Sequence, residues 1–180
     1  FHVITLFPEV VDAYTQASIL GRAQKDKKLK VKTYQLRDTA GNKWGKVDER
    51  PYGGGPGMVL RAEPVIKAVE KIQKKLGRTM IYHSKNTKVI ITAAGGKPLT
   101  NAYAKNLLKY KNVIIVCGRY EGVDVRAKKA LKAEEVSVGP YILTGGEVPA
   151  MAIIDAAARQ IPGVLGKFES LEEGRVASHD

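Results

Sequence analysis

The chain has 180 residues, 44% of them hydrophobic, and a formal charge of +12 at pH 7. That is one ordinary domain with enough apolar material for a core, which excludes global disorder, and its excess of cations suits a polyanionic partner such as nucleic acid. The lone Cys117 excludes an intrachain disulfide and fits a cytoplasmic setting. With no long apolar run, we expect neither a membrane span nor a signal peptide, and the scattered His2, His83 and His179 predict no metal site.

In chain order, strands and helices alternate. HVITLF (2–7) reads as a buried strand, and Pro8 opens a helix to about Tyr14. A second helix is expected after a capping Ser18, running into the cluster Lys25, Lys27, Lys28, Lys30 and Lys32. Residues 31–36 alternate like a strand. Residues 37–58, with Trp44 and YGGGPGM (52–58), read as a long irregular region suited to ligand or nucleic-acid contact. Pro64 should open a helix with Val65, Ile66, Val69, Ile72 and Leu76 on one face and Gly77 at its end. Strands are predicted at 79–82 and 88–92, the latter ending in the loop AAGGKPL. A helix over 101–108, the strand NVIIVCG (112–118), a helix to about Lys132 and a strand EEVSV (134–138) follow. SVGPYILTGGE (137–147) then leads into a helix over 150–158, and Thr144 with Glu147 has the spacing of a capping box. Apolar strands alternating with helices predict an α/β fold with a mostly parallel sheet.

Ligands of such sheets bind beyond the carboxyl ends of the strands, where AAGGK, CGRYEG and SVGPYILTGG all lie. Met58 stands where a third glycine would complete GxGxxG, and Pro98 follows Gly96-Lys97 where a P-loop needs Ser or Thr. From the residues alone, the reading stops at a basic α/β protein with a backbone-lined pocket.

PYGGGPGM, VCGRYEGVD, SVGPYILTGGEVPAM and IDAAARQIPGVLG, in this order, resemble the bacterial tRNA (guanine-37-N1)-methyltransferases of the SPOUT (SpoU–TrmD) class. The resemblance implies a deep trefoil knot in the C-terminal half, a homodimer, S-adenosylmethionine (SAM) as methyl donor and tRNA as partner. It leaves room for Mg²⁺. Residues 1–166 would form the methyltransferase domain and 167–180 the start of a linker, with the family's C-terminal helical tRNA-binding domain not included. Cofactor contacts are implied at Ile91, Thr92, Ala93, Gly95 and Gly118, along Val138, Gly139, Pro140, Tyr141, Ile142 and Leu143, and at Gly145 and Gly146. Two related outcomes stay open: another RNA methyltransferase of the class, or a non-catalytic RNA-binding fragment.

Methylation at guanine N1 needs a proton acceptor and a cation for the charge that grows on O6. Arg159 matches the family's arginine. The family's aspartate falls at Gly174, so Glu173 is the nearest carboxylate, with Glu172 and Asp180 as alternatives. RNA contacts are expected from Lys28, Lys30, Arg37, Tyr52 and Gly55. Val125 and Pro140 depart from the family pattern, which has acidic residues there.

Overall fold

The structure, a computed structural model, describes residues 1–77 and 86–165. Strands β1 (His2–Thr5), β2 (Lys32–Gln35), β5 (Thr87–Pro98), β6 (Asn112–Val116) and β7 (Glu134–Ser137) form one five-stranded sheet in the order β2-β1-β6-β5-β7. Every pairing in it is parallel. The short β3 (Asp48–Glu49) and β4 (Val59–Leu60) pair antiparallel apart from it. Helices α1 (Pro8–Thr15), α2 (Ser18–Lys25), α4 (Asn101–Leu107) and α6 (Glu147–Arg159) share one core cluster, and α3 (Ala62–Lys75) and α5 (Val125–Leu131) share the other.

The continuous apolar runs are explained by burial on both faces. Successive strand residues point to opposite sides, so Val3, Ile90 and Ile115 enter the first cluster while Ile4, Ile91 and Ile114 enter the second. A strand that meets helices on both sides has no polar face to keep. In α3, Val65, Val69 and Ile72 are almost fully buried, each worth roughly 1.5–3 kcal/mol of transfer free energy. Gly77 ends that helix at φ 73°, a conformation that costs glycine little.

Several local expectations change. The helix begins at Ala62, two residues before Pro64, because a proline in the first turn lacks only an N–H that would have no intrahelical partner. Ala17, not Ser18, caps α2, and no side chain bonds to that cap. Residues 37–58 are not wholly irregular: a 3₁₀ turn covers Leu36–Thr39, and β3 lies within the region. The strand expected at 79–82 lies outside the described residues. Helix α6 starts at Glu147, three residues early, with Gly146 as its cap. The Thr144–Glu147 capping box does not form, since Glu147 turns inward instead.

The largest difference concerns AAGGKPL. It is not a loop after a strand but a looped-out passage within β5. Val136 of β7 is the partner first of Thr92 and then of Lys97, so residues 93–96 leave the ladder and β5 resumes beside the same strand. Glu134 of β7 fastens both feet of this excursion. Its carboxylate pairs with Lys88 at 2.7 Å and with Lys97, and accepts a hydrogen bond from the Tyr103 hydroxyl at 3.0 Å. Burial works against the charged carboxyl, but the bonds from Lys88, Lys97 and Tyr103 outweigh it and lower its pKa to about 2.

A carboxyl lowered in the folded state stabilises fully above its unfolded pKa and loses that contribution as pH falls towards the folded one. Glu134→Gln should therefore cost about 1 kcal/mol at neutral pH, the scale of a partly exposed network. In urea denaturation, the gap between parent and variant should narrow as pH is lowered from about 5 to about 3.

Candidate active site

Beyond the carboxyl ends of β6 and β7, and at the excursion in β5, three turns enclose a cavity of about 430 Å³. They are the 93–96 excursion, residues 118–122 after β6, and residues 138–146 between β7 and α6. Glycine permits their approach. A Cβ on Gly146 would fall 2.0 Å from Thr92 Oγ1 and 2.6 Å from the Gly118 nitrogen, and one on Gly118 would fall 2.5 Å from the Thr92 carbonyl oxygen. Hydrogen bonds use this closeness: Gly118 N donates to Thr92 Oγ1 at 2.9 Å, and Gly146 N donates to the Gly118 carbonyl at 2.8 Å.

Behind the cavity wall lies a buried charge cluster. Glu147 is 4% exposed. One carboxylate oxygen accepts from Thr5 Oγ1 at 2.6 Å, and the other pairs with Arg119 Nη2 at 3.0 Å. Arg119 also donates to the Thr144 carbonyl at 3.3 Å, and its guanidinium lies 4.6 Å from the Phe7 ring centre. Its Nε is buried without a hydrogen-bond partner. Cys117 is buried beside this cluster; burial first, then Glu147, pushes its thiol well above the ordinary range, so it is a packing residue and not a nucleophile.

Of the residues expected to contact a cofactor, all except Ile91 and Pro140 line this cavity. Ile91 is buried in the second core cluster, and Pro140 is exposed. Tyr141, Ile142 and Leu143 are 54%, 83% and 41% exposed, an apolar wall left open among the described residues. Sequence reasoning did not select Arg119, Tyr120, Glu121, Thr144 or Pro149, which also line the cavity. The signal for the first three lies in the CGRYEG turn itself, which they share with Gly118. Glu135 on the lining pairs with Lys128 at 2.5 Å, whereas Glu121 has no cation partner among the described residues.

The remaining expected residues are spread more widely. Arg159 ends α6, whereas the first turn of that helix touches the cavity. Twelve residues at 1.5 Å each put about 18 Å between Glu147 and Arg159. Glu173, Glu172 and Asp180 lie outside the described residues. Lys28 and Lys30 stand with Lys32 and Lys111 around a second cavity of about 520 Å³, at the amino ends of the strands. There Lys28 Nζ donates to the Gly163 carbonyl just past α6. Arg37 and the 52–58 loop lie at the other end, near the first cavity. Tyr52 is fully exposed, and Gly55, at φ 106°, has open space around it. The loop returns onto the cavity rim, where Glu121 N donates to the Met58 carbonyl and Leu60 N to the Gly122 carbonyl, both at 2.9 Å. Val125 is exposed on the first turn of α5.

Among the described residues, no cluster of three His, Cys, Asp or Glu side chains could hold a metal ion, and no helix is long and apolar enough to cross a membrane.

Residues 1–179 match the profile of the family described as tRNA (Guanine-1)-methyltransferase TrmD. The chain belongs to that family. It is 44% identical over 171 residues to the tRNA (guanine-N(1)-)-methyltransferase of Desulforamulus reducens, covering 95% of this chain and 65% of the relative. With the enzyme of the same name from Pseudoalteromonas atlantica it shares 45% identity over 173 residues, covering 96% and 63%. The chain thus spans slightly less than two-thirds of these relatives. The crystal structure of tRNA (m1G37) methyltransferase from Aquifex aeolicus superposes with a TM-score of 0.81 at 40% identity, covering 93% of this chain and 72% of that one.

If the cavity depends on backbone approach, its glycines should not tolerate a methyl group equally. Gly146→Ala should destabilise by about 1–3 kcal/mol, the range for overpacking. Gly95→Ala, where a Cβ would meet nothing within 4 Å, should be close to neutral. Chemical denaturation of the two variants checks the contrast.

Proposed function

We propose that the chain is the catalytic part of an enzyme that transfers a methyl group from SAM to N1 of guanosine 37 in tRNA, next to the anticodon. The observation that carries this reading is the glycine-walled cavity: three turns bearing the family's motifs converge on it at one end of the sheet. Its size suits a nucleoside-sized ligand, and it combines backbone hydrogen-bonding groups with apolar walls. Main-chain groups of 93–95 and 138–143 would read the adenine edge, and Val138, Ile142 and Leu143 would cover its faces. Bound there, SAM supplies an electrophilic methyl group on a sulfonium.

The chain's own residues then have three tasks. A carboxylate must take the N1 proton as that nitrogen attacks; we assign this to Glu173, with Glu121 as the cavity carboxylate best placed to substitute. A guanidinium must face O6 as charge accumulates there, and this is the role of Arg159. Lys28, Lys30 and Arg37 hold phosphates, and the loop of Tyr52 and Gly55 meets the RNA around the flipped-out guanosine. No step above requires Mg²⁺.

The separation of Arg159 from the cavity along α6 favours a homodimer, in which one protomer's Arg159 end meets its partner's cavity. An apolar surface supports the same reading. Phe7, Val10 and Tyr14 of the α1 region and Val148 of α6 are 38%, 44%, 44% and 55% exposed, and the Tyr14 hydroxyl ties α1 to Asp155 of α6 at 2.5 Å. Exposed apolar side chains on two helices that pack against each other are suited to a subunit interface. We also read a trefoil knot in the way β5 flanks β7 on both sides of its excursion while the 118–122 and 145–147 segments lock against Thr92. A cytoplasmic location follows from the substrate.

Two measurements test the core of the proposal. Calorimetry should show SAM binding, and mass spectrometry of nucleosides from a treated tRNA transcript should show 1-methylguanosine at position 37. Absence of SAM binding would overturn the reading, and a different modified nucleoside would assign another target within the class. Arg159→Ala should keep SAM affinity within about twofold while methyl transfer falls about 100-fold or more; a parallel loss of SAM binding would show the arginine to be structural.

A further inference from the structure

We propose that Trp44, presented on the turn 42–46, is a stacking platform for an unpaired RNA base beside the cavity. The inference rests on the RNA substrate proposed above and adds a residue and a contact to it. Tryptophan is ordinarily well buried, yet this ring is 79% exposed. The exposure does not come from a loose backbone. Asn42 Oδ1 accepts from Trp44 N at 3.1 Å and from Lys46 N at 3.0 Å, while Asn42 Nδ2 donates to the Ala40 carbonyl at 3.1 Å and the Lys46 carbonyl at 2.9 Å. Gly45 takes φ 63°, and its carbonyl is gripped by Arg37 Nη1 at 3.1 Å. A turn fixed by this many bonds holds a large flat apolar ring in water, an arrangement that folding alone does not favour.

The surroundings identify the ligand chemistry. Lys43 Nζ lies 4.8 Å from the ring centre, and Lys46 and Arg50 flank the same stretch. Lys43, Lys46 and Arg50 form no ion pair with a carboxylate among the described residues, so their charges face solvent or a polyanion. An aromatic face among unpaired cations is the combination that binds single-stranded nucleic acid: bases stack on the ring, and cations track the phosphates. A protein hot spot would also use tryptophan, but Lys43, Lys46 and Arg50 around the ring, none paired with a carboxylate among the described residues, favour RNA. The turn also has the right address. Val47, which follows the turn, accepts from Arg61 N at 2.8 Å, and the adjacent Leu60 N donates to the carbonyl of Gly122 on the cavity rim at 2.9 Å. A base next to the one drawn into the cavity would therefore pass the Trp44 ring.

Trp44 is the sole tryptophan in the sequence, so its fluorescence reports this contact without labelling. The parent chain would be titrated with an anticodon stem-loop RNA carrying guanosine at position 37. Stacking predicts quenching of the tryptophan emission that saturates together with binding measured by anisotropy of labelled RNA. Trp44→Ala should weaken RNA binding about tenfold while SAM affinity stays at the parent value, and Trp44→Phe should recover most of the loss. If the RNA binds and is methylated while emission and the Trp44→Ala affinity stay unchanged, the stacking proposal falls and the methyltransferase reading stands. If the parent binds neither SAM nor RNA, both fall.

Discussion

The buried carboxylate of Glu147 is the interaction on which the cavity depends. It joins three distant parts of the chain: Thr5 at the end of β1, Arg119 in the turn after β6, and the first residue of α6. A charge this deeply buried is tolerated only when paired and hydrogen-bonded, and losing one partner would leave the other uncompensated. The pair also sets backbone geometry. Arg119 and Gly145 form an antiparallel bridge, and a Cβ on Gly145 would stand 2.4 Å from Arg119 Nε. The ion pair draws the two turns together, and the glycines let them arrive.

This constraint explains why the helix cap departs from the simple pattern. A capping box would turn the Glu147 side chain back over Thr144, towards the end of the helix. Here the acid serves tertiary structure, and α6 starts from Gly146 without a side-chain cap. The missing cap is a modest local loss beside a contact that spans 142 residues of sequence. The helix so launched lines the cavity with its first turn and carries Arg159 to the opposite end of the sheet.

That division of the molecule into two ends is its main functional consequence. Cavity, Arg37, Tyr52 and Trp44 gather where the parallel strands finish, while Lys28, Lys30, Lys32 and Lys111 gather where they begin. A net charge of +12 says only that the surface is basic. A single protomer presents basic features at both ends of the sheet.

Much of this was legible in the sequence. Period and composition determined the α/β class, the buried strands and the amphipathic α3, because these follow from which side chains leave water. The motifs marked the three turns, since close backbone approach demands glycine. What the sequence could not determine were facts of long-range geometry. Whether AAGGKPL ends β5 or is looped out of it depends on Val136 serving two partners and on Glu134 holding Lys88 and Lys97. Whether Thr144 and Glu147 cap a helix depends on an arginine 28 positions away from Glu147. Where Arg159 stands relative to the cavity is set by the 13 residues of α6, which carry it about 18 Å along the helix from Glu147.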